Sequence, residues 1–129
     1  MDTIIIAGRK YNESSILNEK EEYIRIEAVD MCFALTILTG DKSAVVRAAV
    51  ARKKVGHDIL VADDCWRVRA TVAKYTDDPA YLKKLASDEN EFVRFIVVKK
   101  GYCLDVLKYD SDEEIASTAR YLLENVGFA

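Results

Sequence analysis

One short stretch is written several times along this chain, and it limits the possible folds more than any other feature. Its clearest copy is Asp63-Asp64-Cys65-Trp66-Arg67-Val68-Arg69-Ala70-Thr71-Val72-Ala73, in essence D-x4-VR-x2-VA. The copy before it has Asp41, Val46, Arg47, Val50 and Ala51 in the same places. The copy after it has Asp88, Val93, Arg94, Val97 and Val98. Anchored on the apolar–arginine pair, the copies fall at Ile24-Arg25, Val46-Arg47, Val68-Arg69 and Val93-Arg94, in steps of 22, 22 and 25 residues. A further step of 22 reaches Ile115-Ala116, where the arginine is lost. A second anchor stands eight residues before the pair, at Ile16, Leu38, Leu60 and Leu107. In the third interval Leu82 stands eleven before Val93, which places three extra residues around Ala86-Ser87-Asp88. Self-similarity at a fixed period of this size is the mark of a repeat architecture.

Within a unit the pattern is helical. Val46, Ala49 and Val50 fall at i, i+3 and i+4, as do Val68, Thr71 and Val72, and Val93, Ile96 and Val97; this spacing lines one helix face. Asp or Ser at 41–43, 63–64 and 110–111 stands where an N-cap belongs, and Ser111-Asp112-Glu113-Glu114 reads as a capping box. A break of about six residues follows each helix. A shorter apolar segment then ends at Leu60, Leu82 or Leu107, opened in one unit by Asp78-Pro79 as N-cap and first helical position. Each unit is therefore a longer helix plus a short helix or 3₁₀ turn. Such a unit buries its apolar face only by stacking. The expected fold is all-α, an α-solenoid of about five 22–25-residue repeats in one domain over 1–129, with an N-terminal cap at 1–18 and a C-terminal cap at 111–129. The alternative is a compact helical bundle without repeats. Thr3-Ile4-Ile5-Ile6 has the β-branched composition of a strand. Extending the register backwards puts Ile6-Ala7 in the slot of Val50-Ala51, and so predicts the end of a cap helix.

The units resemble those of the leucine-rich repeat variant family, which pair an α-helix with a 3₁₀ helix, and short HEAT-like repeats. The residues that carry the likeness are Asp41 with Val46-Arg47 and Val50-Ala51; Asp63 with Val68-Arg69, Val72-Ala73, Pro79 and Leu82; and Asp88 with Val93-Arg94 and Val97-Val98. It spans roughly residues 16–123. It implies a solenoid scaffold and no particular activity. An N-terminal cysteine cluster that holds an iron–sulfur centre in one such protein has no counterpart, since residues 1–31 contain no cysteine.

Composition narrows function by exclusion. The net charge of −3 gives no overall basic signature of a nucleic-acid binder. No apolar run reaches the roughly 18 residues of a membrane span, and no basic segment leads into a long apolar one as in a signal peptide. Cys32, Cys65 and Cys103 are widely spaced, odd in number and outside any CxxC. They read as reduced, buried or half-buried thiols in a cytoplasmic protein.

Four sets of residues invite a functional reading. Arg25, Arg47, Arg69 and Arg94 each follow an acid by six residues: Glu19, Asp41, Asp63 and Asp88. Stacked, they form either an anion-binding ladder or a structural one, each arginine paired with the acid of its own or the adjacent unit; the fixed acid favours the second. Arg9-Lys10, Arg52-Lys53-Lys54, Lys74 and Lys99-Lys100 follow the apolar faces and form one basic edge. That edge either complements helix macrodipoles or tracks an acidic partner or nucleic-acid backbone. Trp66 falls in a slot otherwise held by Glu22, Ala44, Glu91 and Glu113, and Tyr75 in a slot of lysines. Each ring is either an interface anchor or a cover for the neighbouring unit. His57, the one histidine, follows Gly56 in the slot that Pro79 fills in the next unit, and reads as polar surface. No nucleophile, acid–base, metal or cofactor constellation is present. The expectation is a non-enzymatic binding module, a protein–protein scaffold, adaptor or small inhibitor. Nucleic-acid binding along the basic edge is the alternative, and an enzyme accessory the third reading.

Overall fold

The computed structural model describes residues 2–125. They form a strand pair, β1 (Ile4–Ile6) and β2 (Arg9–Tyr11), followed by ten helices. These are α1 (Glu13–Leu17), α2 (Glu22–Asp30), α3 (Leu35–Leu38), α4 (Ala44–Arg52), α5 (His57–Leu60), α6 (Trp66–Tyr75), α7 (Pro79–Leu85), α8 (Glu91–Lys99), α9 (Leu104–Leu107) and α10 (Glu113–Asn125). The end of the expected C-terminal cap, residues 126–129, lies outside the described residues.

The long helices α2, α4, α6, α8 and α10 pack each on the next, and the short helices alternate with them. Val46, Val50, Val68, Val72, Val93 and Val97 are fully buried between the rows. Leu38, Leu60, Leu85 and Leu107 close the core from the short helices. Burial of this one apolar stripe per helix is the main force holding the row together.

The long helices begin where they do because of the acid two residues before each N-cap. The carboxylates of Glu19, Asp41, Asp63, Asp88 and Asp110 each accept the backbone N–H two residues on, at 2.8–2.9 Å. This Asx-type turn aims the chain into the helix. Ser43 and Asn90 then cap α4 and α8 with their own side chains. At α10 the capping oxygen belongs to Asp112, which accepts the Ile115 N–H at 3.1 Å; the box expected from Ser111 and Glu114 does not form, because the residue three after Asp112 is the apolar Ile115.

Two expectations are corrected. The first is the N-terminal cap helix. Ile4–Ile6 pairs antiparallel with Arg9–Tyr11 instead, Ile4 opposite Tyr11 and Ile6 opposite Arg9. Ala7 and Gly8 turn the hairpin with φ of +53° and +80°. Two positive φ values are what a two-residue hairpin turn of matching twist requires. Alternation puts Ile6 and Tyr11 in the core and leaves Ile5 in solvent. Arg9-Lys10 consequently lies in β2 and not beyond a helix.

The second is the insertion. Leu85 stands eight residues before Val93 and three before Asp88, as Leu60 stands to Val68 and Asp63. It is buried like Leu38, Leu60 and Leu107. The extra three residues therefore precede Leu85, as an additional first turn of α7, and do not lie at Ala86-Ser87-Asp88. In the other units the linker before the short helix contains two left-handed residues: Cys32 and Ala34, Lys54 and Gly56, Gly101 and Cys103. Here Asp78 caps α7 by accepting the Ala80 N–H at 2.9 Å, with Pro79 behind it. The helix can thus start a turn early without that linker.

Leu85→Ala is expected to cost about 2–5 kcal/mol, as for a fully buried leucine. Ile59→Ala, on the exposed side of α5, should stay within about 0.5 kcal/mol of wild type. Urea denaturation of the two variants checks this; equal midpoints would remove Leu85 from the core.

Candidate functional site

The four arginines form a continuous chain of ion pairs along the row. Arg25 Nε and Nη2 donate to Asp41 at 2.8 and 3.2 Å; Arg47 does the same to Asp63, Arg69 to Asp88 and Arg94 to Asp110. The partner is always the acid of the following unit. Each Nη1 also donates to the backbone carbonyl six residues back: Glu19, Asp41, Asp63 or Asp88. The guanidinium fork suits this double task because its donors lie in one plane. The pair Arg25–Asp41 is almost sealed, with side chains 2% and 1% exposed. Asp110 extends the ladder beyond the four acids singled out from the sequence.

The ladder's first acid, Glu19, has no arginine from a preceding unit. Its carboxylate accepts the Tyr11 hydroxyl at 2.6 Å, and Arg9 lies 3.6 Å away. The hairpin thus supplies a donor and a charge where a further unit would supply a guanidinium. The Glu19 carboxyl is held below its ordinary pKa, first by the Tyr11 hydroxyl and then by the Glu21 N–H.

The basic edge divides into two sets. Lys53 and Lys100 reach back to the helix two elements earlier. Lys100 Nζ donates to the carbonyls of Ala73, Lys74 and Thr76 at the end of α6, at 2.7–3.2 Å. Lys53 Nζ donates to the Asp30 carbonyl at the end of α2, at 3.4 Å. Such contacts satisfy the orphan carbonyls of a helix C-terminus. Burial lowers the Lys100 pKa. Lys54 pairs with Asp77 at 2.8 Å. Arg52, Lys74 and Lys99, by contrast, are exposed and have no carboxylate partner among the described residues.

Trp66 and Tyr75 are both half-buried. The Trp66 ring stacks on Phe92 of the next long helix, centroids 5.5 Å apart and 25° between planes. The Arg67 guanidinium lies 4.7 Å over the indole. Phe92 remains 57% exposed. Trp66's own slot does not point to it. Phe92 stands one place further on, with Tyr23, Val45 and Arg67, and three apolar residues in an outward slot were the available signal. Tyr75 carries the Lys74 ammonium 5.6 Å above its ring.

His57 is buried, not surface, as the first residue of α5, and its Nε2 lies 2.8 Å from the Ala51 carbonyl oxygen. With Leu85 as anchor its counterparts are Leu35, Leu82 and Leu104, so Pro79 is not its equivalent. Gly56 precedes it at φ +71°, and a Cβ there would stand 2.7 Å from Thr39. A groove of about 650 Å³ opens beside it, lined by Lys54, Asp58, Thr76, Asp77, Asp78 and Tyr81. Of its charged groups, Asp77 pairs with Lys54 and Asp78 caps the start of α7, while Asp58 is exposed. Cys65 and Cys103 are half-buried, Cys32 exposed, and all are free thiols. Burial raises the Cys103 pKa. Among the described residues no group of three or more His, Cys, Asp or Glu is placed to hold a metal ion. None of the described helices is long and apolar enough to cross a membrane. Comparisons with protein-family models, curated proteins and solved structures found no match.

Two outcomes follow from the ladder. Asp41→Ala strands a buried guanidinium and should cost about 3–5 kcal/mol in urea denaturation. The double replacement Arg25→Met, Asp41→Leu should recover most of that loss. Acid should act on the same contacts. Burial raises the pKa of Asp63 and Asp110, but the hydrogen bonds from Arg47 and Arg94 and from the backbone outweigh it, so both carboxyls are held low. A depressed folded pKa stabilises fully above the unfolded value of about 3.9, and that contribution is lost as pH falls through the folded value. The urea midpoint should therefore fall below about pH 4 in wild type, and fall less in Asp63→Asn; identical slopes would show that Asp63 is not linked to stability.

Proposed function

We propose that the chain is a short α-solenoid of HEAT-like or leucine-rich-repeat-variant units and acts as a non-enzymatic module that binds a protein partner. The observation that carries this is the exposed aromatic shelf of Phe92 on Trp66, topped by Arg67. Aromatic and arginine side chains held in place by a rigid scaffold are the usual anchors of protein interfaces. Tyr23 and Val45 lie on the same slot of α2 and α4 and are also exposed, so the apolar surface extends along the row. The ladder arginines do not belong to the site, because their donors are occupied within the chain. The free thiols fit a reducing compartment such as the cytoplasm.

Nucleic acid is the second reading, favoured by the unpartnered cations Arg52, Lys74 and Lys99. Glu91 at the other end of α8, and Glu113 and Glu114 at the start of α10, oppose a polyanion. A salt titration with duplex DNA and single-stranded RNA separates the readings: the protein reading expects no affinity for either even at low salt. Affinity capture on the immobilised protein tests the shelf. Trp66→Ala and Phe92→Ala should each reduce saturable retention of a polypeptide partner about tenfold or more. Full retention of every partner by both variants would remove the shelf as the binding surface.

A further inference from the structure

The division of the basic edge has a consequence for the kind of partner. Resting on the reading of the chain as a protein-binding module, we propose that Arg52, Lys74 and Lys99 form the docking stripe for an amphipathic helix of the partner that carries a row of carboxylates.

Six residues after each apolar anchor the long helices carry Asp30, Arg52, Lys74, Lys99 and Tyr121. Seven after it they carry Met31, Lys53, Tyr75, Lys100 and Leu122. The structural work falls to the seventh slot, where Lys53 and Lys100 cap the ends of α2 and α6. The cations of the sixth slot are therefore not needed for those carbonyls. They stand in the last turns of α4, α6 and α8, three consecutive helices of the row. Two are supported by rings: Lys74 lies 5.6 Å over Tyr75, and Lys99 lies 5.7 Å over Phe95. That support restrains flexible side chains in advance of binding, which reduces the ordering cost.

The spacing selects the partner. Packed helices lie about 8–10 Å apart, so the three cations repeat at roughly that distance. A helix laid across the row presents side chains seven residues apart on one face at about 10.5 Å. Carboxylates at i, i+7 and i+14 match the stripe. An extended strand presents same-face residues about 6.6 Å apart and does not keep step. A single nucleic-acid strand in a duplex carries a phosphate about every 3.4 Å of axis, far more charge than three cations balance. The stripe is also bounded, since Asp30 repels a fourth carboxylate at one end and Tyr121 offers none a partner at the other. Beside the cations, Phe95 and Ile96 of α8 are half-buried and apolar, and Ala48 of α4 is small. The apolar residues of the incoming helix would lie there, with charge pairing at the rim setting orientation and on-rate.

The probe is a fluorescently labelled helical peptide with three glutamates spaced by seven and leucines between them. A second peptide of the same composition spaces its glutamates by five. The spaced-by-seven peptide should bind the full chain, more weakly as salt rises. Arg52→Gln, Lys74→Gln and Lys99→Gln should each weaken binding about three- to fivefold. The triple variant should lose more than tenfold while its circular dichroism and urea midpoint stay those of wild type. Lys84→Gln, an exposed cation on α7, should leave binding unchanged. Equal binding of both peptides, full binding by the folded triple variant, or tighter binding of a single-stranded oligonucleotide would overturn the stripe. If the peptide fails while capture of a protein partner still depends on Phe92, the acidic-helix assignment falls and the binding-module reading stands. If capture fails and the peptide binds as described, the shelf falls and the stripe remains.

Discussion

A guanidinium shared between two carboxylate oxygens and a backbone carbonyl recurs on four of the five long helices, α2, α4, α6 and α8. Each arginine closes on the acid of the following unit and on the backbone of its own, so it measures the distance between neighbouring helices. Removing a charge from water is costly unless its donors are filled and its charge is matched. Arg25 and Asp41, almost wholly enclosed, meet both conditions only in one arrangement. The same carboxylates hold the turn that begins the next helix. One side-chain pair thus sets both where a helix starts and how it packs, which accounts for the Asp and Arg shared by the copies at α4, α6 and α8.

Because that ladder is satisfied internally, its guanidinium donors are not free for an outside group. The basic edge shows a division of labour between adjacent slots. Lys53 and Lys100 donate to the carbonyls at the ends of preceding helices, whereas Arg52, Lys74 and Lys99 make no such contact. An edge that is uniform in composition therefore holds two structurally different sets of cations. The aromatic shelf at the opposite ends of α6 and α8 depends on the same packing, since Trp66 and Phe92 meet only when those helices lie side by side.

The structure departs from the repeat pattern at three places. At Ile4–Ile6 the repeat register predicts a helix end, but the local signals, β-branched residues followed by a turn that tolerates positive φ, prevail. At α7, Asp78-Pro79 starts the helix a turn before Leu85, the leucine equivalent to Leu60, and periodicity restricted to one anchor does not distinguish an insertion before it from one after it. His57, after a glycine, reads locally as loop; its neighbours in register are leucines, and it is buried with them.

The helical character, the period, the buried Val and Ala positions and the existence of an Arg–Asp series are legible in the amino-acid order. All of these follow from spacing along the chain, where burial and helical periodicity leave a direct trace. Which acid each arginine holds, which lysines cap carbonyls, and that Phe92 completes the Trp66 shelf are visible only in the fold. Those pairings join residues 16 to 27 positions apart, and their partners are chosen by the packing of one helix on the next, which local spacing does not encode.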